Sequence, residues 1–142
     1  MSAAINIIIR PFEKRDSADV VALWQRCNLL VPTNDPRRDI ELKLSVQPEL
    51  FLVAILDARI VGTVMAGYEG HRGWINYLAV SPDMQRQGIG RRIMAAAEAR
   101  LAVLGCPKIN LQVRGGNTAV VQFYERLGFV VEDRVSMGKR LP

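Results

Sequence analysis

A long amphipathic segment that follows three strand-like segments constrains the fold of this chain most. Within Gly88–Leu104, apolar side chains recur at helical spacing, at Ile89, Ile93, Ala97, Leu101 and Leu104. Upstream, Leu50–Leu56 and Ile60–Tyr68 flank a short polar turn, which predicts a β-hairpin, and Trp74–Val80 predicts a third strand. Lys108–Arg114 alternates apolar and polar residues after the helix, as a strand does. We therefore expect an α+β fold with a single mixed, mostly antiparallel sheet and helices on both faces.

The rest of the chain supplies the flanking elements. Ile5–Ile9 predicts a first strand, and Asp16–Cys27 predicts a helix that Asp16 caps. Asp35, followed by proline, marks the start of a second helix. Asn117–Leu127 predicts the last helix, and Phe129–Leu141 one or two closing strands. The expected order is strand, two helices, three strands, helix, strand, helix, strand, in one domain over residues 1–142.

Composition excludes several classes of protein. The net charge is +5, but the basic residues are scattered, and three Tyr, two Trp and four Phe offer few stacking surfaces for nucleic-acid bases. Apolar runs are too short to span a membrane, and the first residues lack the pattern of a signal peptide. Two separated cysteines and a single histidine argue against a disulfide framework or a metal site. We expect a cytoplasmic protein that binds no metal, membrane or nucleic acid.

A glycine turn, Gln85–Gly90, joins the third strand to the best helix. The first N–H groups of a helix have no intrahelical partners and carry partial positive charge, and glycines allow a bulky anion to approach the backbone. Arg86, Arg91 and Arg92 add charge, so the turn suits a pyrophosphate. Ile93 stands where a dinucleotide fingerprint has its third glycine, and no NTPase P-loop is present. An alternative is that the glycines only permit a tight turn.

The neighbouring residues give this turn a more specific context. The run Leu78-Ala79-Val80-Ser81-Pro82 is followed by Gln85-x-x-Gly88-x-Gly90, and downstream come Asn117 and Tyr124-Glu125-Arg126-Leu127-Gly128-Phe129. This ordered set resembles the GNAT superfamily of acetyl-coenzyme-A-dependent N-acetyltransferases, and the order of elements fits along most of the chain.

The resemblance implies transfer of an acetyl group from acetyl-CoA, as co-substrate, to a primary amine by direct attack in a ternary complex. It implies that backbone amides of the glycine turn hold the coenzyme A pyrophosphate. The matching residues are Gln85, Arg86, Gln87, Gly88, Ile89 and Gly90. It further implies that Leu78 and Val80 lend main-chain groups to the pantetheine arm and the thioester, where Trp74–Val80 splays from Lys108–Arg114.

Two residues near the C-terminus carry the remaining site predictions. By the resemblance, Tyr124 protonates the departing thiolate and Asn117 contacts the cofactor. Their spacing of seven places them on one face if both are helical. The alternatives are that Asn117 is a helix cap and that Tyr124 is an amphipathic core residue.

The sequence does not assign the general base or the amine acceptor. Some family members carry a glutamate on the strand that matches Trp74–Val80, but this strand has no acid. Glu69 and His71, on the preceding turn, are the local candidates, with water or a simple solvated turn as alternatives. The apolar loop Asn28–Asn34 is a candidate acceptor pocket, and Asp35 serves equally as a cation ligand or a helix cap.

Other function classes stay open beside the enzyme. One is a non-catalytic coenzyme-A-binding sensor or interaction module with the same fold, and another is a basic nucleic-acid-binding domain. Within the enzyme class, a small amine, a protein α-amine and a lysine side chain all remain open as acceptors. The oligomeric state is open too, a homodimer included.

Overall fold

The computed structural model describes residues 5–142, in one unit that ends at Leu111 and a second from Gln112 to Pro142. The elements of the first unit are β1 Ile8–Pro11, α1 Ser17–Arg26, α2 Pro36–Leu44, β2 Phe51–Leu56, β3 Arg59–Tyr68, β4 Gly73–Val80, α3 Ile89–Val103 and β5 Ile109–Leu111. The second unit contains α4, Thr118–Arg126. No helix among the described residues has the length and apolar character needed to cross a bilayer.

The five strands form one mixed sheet in the order β1-β2-β3-β4-β5. The first four strands are antiparallel neighbours, and β5 is parallel to β4 after the crossover through α3. The β2–β3 hairpin turns at Asp57 and Ala58, both with positive φ, at 50° and 62°. Such a turn matches the natural twist of the two strands. The predicted fold class is confirmed.

Neighbouring residues of β3 show how the sheet is covered on both faces. Thr63 accepts a hydrogen bond from Trp24 of α1, whereas a Cβ added to Gly62 would lie 2.5 Å from Ile93 Cδ1 of α3. Because consecutive strand residues point to opposite faces, α1 and α3 lie on opposite sides of the sheet. On the α1 side, Phe12 and Phe51 stack at 4.5 Å beneath that helix.

The two predicted helix caps have different outcomes. Asp35 caps α2, since its carboxylate accepts hydrogen bonds from the N–H groups of Arg37 and Arg38. Asp16 precedes α1 as predicted, but its side chain does not cap that helix. Its carboxylate instead accepts from the Glu13 N–H and pairs with Arg10, at 2.8 Å in each case. The carboxylate of Asp16 therefore bonds within the turn before α1 instead of capping the helix.

Both ends of the chain differ from the prediction. The first strand is Ile8–Pro11 rather than Ile5–Ile9, because pairing with β2 sets its register, and Pro11 is tolerated on an edge strand. The expected closing strand is wrong: in the described chain, residues 129–142 contain no strand. The backbone bond from Arg134 N–H to Glu132 O closes a local turn instead of a ladder. Large apolar side chains stay exposed there, at Val130, Val131, Val135, Met137 and Leu141.

Candidate active site

The edge of β4 that faces β5 is the first component of the site. The two strands pair over only three residues, and the last pair is Ile75 with Leu111. Among the described residues, β4 has no pairing with β5 beyond that point, although it continues alongside β3 to Val80. β5 is thus three residues long instead of the predicted seven. The main chain of Asn76–Val80 is left with an open edge, at the place where the family resemblance implies a splay.

A β-bulge lies within this open stretch. Thr63 pairs with Ala79 and Met65 with Asn76, so Tyr77 and Leu78 stand opposite the single residue between Thr63 and Met65. Tyr77 has φ 50°, in the left-handed region that a bulky side chain rarely adopts. Such bulges redirect backbone groups and occur frequently beside active sites.

Two part-buried hydrogen bonds and one buried bond lie around Tyr77. Its carbonyl accepts a 2.8 Å hydrogen bond from Thr63 Oγ1, which itself accepts from Trp24 Nε1 at 2.9 Å. Its ring stacks on that of Trp24 at 3.8 Å, and its hydroxyl donates to Asp39 at 2.6 Å. Burial, and then the Asp39 carboxylate, raise the pKa of the Tyr77 hydroxyl, so this phenol stays protonated. The sequence prediction missed this set because no glycine or proline marks the bulge.

The end of β4 leads directly into the glycine turn. The Val80 carbonyl accepts from Cys27 Sγ and from Gln85 Nε2, each at 3.3 Å. A single 3₁₀ turn, Pro82–Met84, then separates Ser81 from the glycine turn. The side chain of Gln85 is therefore engaged with the strand that precedes the turn.

Positive φ angles shape the backbone of the glycine turn. Arg86 and Gly88 both have left-handed conformations, with φ 64° and 79°. Nothing lies within 4 Å of a Cβ built on Gly88, and residues 85–88 are exposed, whereas Ile89 is buried. Gly88 brings no capping side chain and the first turn of α3 has no acidic residue, so neither supplies a side-chain acceptor for the first N–H groups of the helix. Arg92, in the first turn of α3, donates a hydrogen bond to the Ile5 carbonyl.

In the second unit, Tyr124 lies within α4 and Asn117 directly precedes that helix. Asn117 is the N-cap, since its Oδ1 accepts from the Val120 N–H at 3.3 Å, so the helix-cap alternative is confirmed. Tyr124 is 8% exposed, and its ring lies edge-on to Phe123 and Phe129. Burial raises the pKa of the Tyr124 hydroxyl to about 12. Contact of either residue with a cofactor stays a prediction.

The turn between β3 and β4 holds the two candidate bases. Glu69 Oε1 accepts hydrogen bonds from the N–H groups of His71 and Arg72. His71 is exposed, and its Nδ1 lies 3.5 Å from the Arg72 guanidinium. Glu69 thus closes the turn with its side chain, which favours a structural part for this carboxylate.

The apolar loop before α2 packs inward. Leu29 and Leu30 contact the core cluster that includes Trp24 and Phe51, and Asp35 is occupied as the cap of α2. The packing of Leu29 and Leu30 explains why the loop Asn28–Asn34 is apolar. Of the two alternatives for Asp35, the helix cap is the one observed.

Comparisons with known proteins agree with this architecture. The model of the Acetyltransferase (GNAT) family matches residues 14–129. An acetyltransferase of Sodalis glossinidius is 49% identical over 134 residues, which cover 94% of each chain. An uncharacterized N-acetyltransferase of Yersinia pestis is 47% identical over 133 residues, again 94% of each chain. The solved structure of the aminoglycoside N-acetyltransferase AAC(6')-Iy in complex with CoA shares the fold at TM-score 0.80 and 18% identity, over 99% of this chain and 98% of that one. The chain belongs to the acetyltransferase (GNAT) family and is an N-acetyltransferase.

Proposed function

We propose that this enzyme transfers the acetyl group of acetyl-CoA to a primary amine by direct attack in a ternary complex. The observation that carries the proposal is the parting of β4 from β5 after Ile75, which leaves the main chain of Asn76–Val80 open. A peptide-like pantetheine arm can pair with such an edge as an added strand does. The related aminoglycoside enzyme was solved with CoA, which supports the same cofactor here.

The orientation of one peptide supports a place for the thioester. The Tyr77 carbonyl points to Thr63 of β3. A trans peptide is planar, so the N–H of Leu78 in the same unit points in the opposite direction, away from β3. It can donate to the oxygen of an acetyl group held along the open edge. Val80 would lend further main-chain groups to the pantetheine arm.

The glycine turn supports a place for the pyrophosphate. Arg86 and Gly88 are left-handed and exposed, and backbone with alternating handedness can bring successive N–H groups to one anion. Helix N-termini attract phosphate through those N–H groups and the helix dipole. We therefore assign the pyrophosphate to the backbone of the whole turn, Gln85–Gly90, with Gln87 and Ile89 contributing main-chain groups only.

The two cysteines support direct attack over a covalent acetyl-enzyme. Burial raises the pKa of the Cys27 thiol, which donates to the Val80 carbonyl, so little reactive thiolate forms at neutral pH. Cys106 donates to the Lys108 carbonyl near the other end of the sheet. Neither cysteine has an activating histidine in its contacts, and a nucleophile requires such activation.

Tyr124 is proposed as the donor to the departing thiolate. A cysteine-like alkyl thiol has a pKa of about 8.5, so full proton transfer to such a thiolate from a phenol of pKa about 12 is uphill until the thiolate is also desolvated. A hydrogen bond to the developing charge lowers the barrier even without complete transfer. Asn117, through its free amide N–H groups, is proposed to contact the cofactor while its Oδ1 caps α4.

An acceptor screen tests the proposed function. Acetyl-CoA is mixed with the enzyme and a panel of small amines, peptides with free N-termini and lysine peptides, and free thiol is measured, with a no-amine reaction as control. We expect amine-dependent thiol release and a product heavier by one acetyl group in intact-mass spectra. Calorimetric binding of coenzyme A without turnover on any amine would instead favour the coenzyme-A-binding sensor.

A further inference from the structure

Thr63 is a fully buried polar residue at the centre of the sheet. It is 0% exposed, as is Trp24, whose Nε1 donates to its hydroxyl at 2.9 Å. The hydroxyl proton is directed to the Tyr77 carbonyl at 2.8 Å. The donor–acceptor direction is therefore fixed along the whole chain of contacts, from Trp24 to Thr63 to Tyr77. Hydrogen bonds in such a chain polarise and strengthen one another in a dry interior.

The carbonyl that receives this chain belongs to a residue in an unfavourable conformation. Tyr77 has φ 50°, which a non-glycine residue keeps only when its surroundings hold it there. Its ring is fixed by stacking on Trp24, and its hydroxyl by Asp39 at 2.6 Å. Thr63 fixes the remaining freedom, the direction of the Tyr77 carbonyl.

That direction matters for the next residue. Rotation of the Tyr77–Leu78 peptide would turn the Leu78 N–H by the same angle, because the peptide is one rigid plane. Because the Tyr77 carbonyl is directed to Thr63 Oγ1, the N–H of the same peptide points away from that hydroxyl, at a level of β4 where the pairing with β5 has already ended at Ile75. An oxyanion donor is effective when it is held in place before the charge develops.

We propose that Trp24 and Thr63 are positioning residues that hold the Leu78 N–H as the hydrogen-bond donor to the thioester oxygen. The inference rests on the proposed function. As the amine nitrogen bonds to the acetyl carbon, the C=O electron pair moves to oxygen, which accepts from Leu78 N–H. The pair then re-forms the carbonyl as the C–S bond breaks, the thiolate leaves, and the amine proton passes to solvent.

The first experiment removes the hydroxyl of Thr63 at constant shape. Thr63→Val leaves the Tyr77 carbonyl without this donor, so the peptide is free to rotate. We expect kcat to fall about 10- to 100-fold, below the full loss of an oxyanion donor, while KM for acetyl-CoA and Kd for coenzyme A stay within about twofold. Thr63→Ser keeps the hydroxyl and should restore most of the rate. Trp24→Phe, which keeps a ring but removes the N–H, should give an intermediate loss.

A matched variant separates positioning from stability. Val53 is opposite Thr63 on β2 and equally buried, but takes no part in the hydrogen-bond chain. Val53→Ala should lower the melting temperature and leave kcat within about twofold when assayed well below it. The proposal is overturned if Thr63→Val keeps wild-type kcat, or if Val53→Ala with an equal drop in melting temperature loses as much activity.

A spectroscopic measurement keeps the test independent of the acceptor. In ¹⁵N-labelled protein, the Leu78 amide proton should move downfield with acetyl-CoA relative to coenzyme A, and Thr63→Val should abolish the difference. Wild-type protein that binds acetyl-CoA without this difference would contradict the positioning proposal even if turnover is found. Protein that shows the difference but acetylates no amine would support the positioning and overturn the proposed function alone.

Discussion

Over Gly73–Ile75, β4 is paired on both sides, whereas over Asn76–Val80 it is paired with β3 alone. We refer to these as the closed half and the open half. In the closed half the ladder is regular, and a Cβ on Gly73 would lie only 2.8 Å from Cys106 Sγ. The open half contains the bulge, a left-handed tyrosine and buried polar contacts, and it runs into the glycine turn.

This difference shows where backbone strain and buried polar groups lie in the sheet. A left-handed non-glycine residue and a buried hydroxyl each cost stability relative to a regular apolar ladder. The left-handed Tyr77 lies on the open half of β4, and the buried hydroxyl of Thr63 bonds to it from β3, whereas the closed half has neither feature. Departures from local rules concentrate at functional sites, which supports the open half as the place of the reaction.

The largest predicted effect concerns the leaving group of the reaction. Tyr124→Phe keeps the ring but removes the proton, so we expect kcat to fall by about 10²-fold or more, with little change in KM for acetyl-CoA. With a pKa of about 12, Tyr124 keeps its proton from pH 6 to 9 and adds no basic limb to the wild-type profile. Since the folded pKa is raised, the accompanying stability is full below about pH 10 and is lost as pH rises through 12.

The control for this variant is Tyr68→Phe. The Tyr68 hydroxyl donates to the Gly70 carbonyl at the turn before the closed half, so its loss should leave kcat unchanged. Steady-state rates of both variants over pH 6–9 measure the contrast. If Tyr124→Phe turned over at the wild-type rate at every pH, the donor role would be wrong and Tyr124 would be a core-packing residue only.

The second prediction compares the two ends of α3. Gly88 and Gly105 have nearly the same φ, 79° and 82°, and neither has a neighbour within 4 Å of an added Cβ. Valine therefore imposes similar strain at both positions. We expect Gly88→Val to weaken coenzyme A binding about 10- to 100-fold by calorimetry, and Gly105→Val to leave the affinity unchanged. Equal affinities would place the pyrophosphate elsewhere.

The third prediction tests the closed half. Gly73→Ala would crowd Cys106 Sγ at 2.8 Å and Ile109 Cγ1 at 3.2 Å, so it should cost about 1–3 kcal/mol of unfolding free energy. Coenzyme A affinity should not change. Gly67→Ala on β3 is the control, because its Cβ would meet Lys43 Nζ at an ordinary 3.5 Å. Denaturant unfolding measures both, and weaker cofactor binding by Gly73→Ala alone would remove the distinction between the halves.

Much of the fold followed from the sequence because its signals are local. The period of α3, the strand runs around the Asp57 turn and the proline after Asp35 each specify an element through its own residues. The misplaced first strand and the absent closing strand depend on pairing with other segments. For Ile8–Pro11 the register with β2 decides the boundaries, and no property of Ile5–Ile9 alone reveals it.

The candidate site was predictable only in part, for the same reason. The glycine turn is a local motif and was found, with Gly88 in the left-handed conformation that only glycine adopts freely. The contacts of Tyr77 with Trp24, Thr63 and Asp39 join residues 14 to 53 positions apart. Tyrosine, threonine and tryptophan are ordinary residues in strands and helices, so nothing in their own sequence context signals a bulge.

The smallest predicted effect concerns the turn at the far end of the closed half. His71 precedes Leu78 by seven residues, which along an extended strand is about 20 Å, too far for direct contact with an amine at the open half. Glu69 already accepts two backbone N–H groups. We therefore expect Glu69→Gln, His71→Ala and the double variant each to change kcat/KM by less than about threefold.

Because a lysine-like amine, with pKa about 10.4, is only about one part in 2,500 neutral at pH 7, the acid limb of the pH–rate profile should instead follow the pKa of the acceptor. Comparing pH–rate profiles for two acceptors of different pKa measures this directly. A loss above about a thousandfold in either single variant, with folding intact, would assign the base to this turn and end the distinction between the two ends of β4.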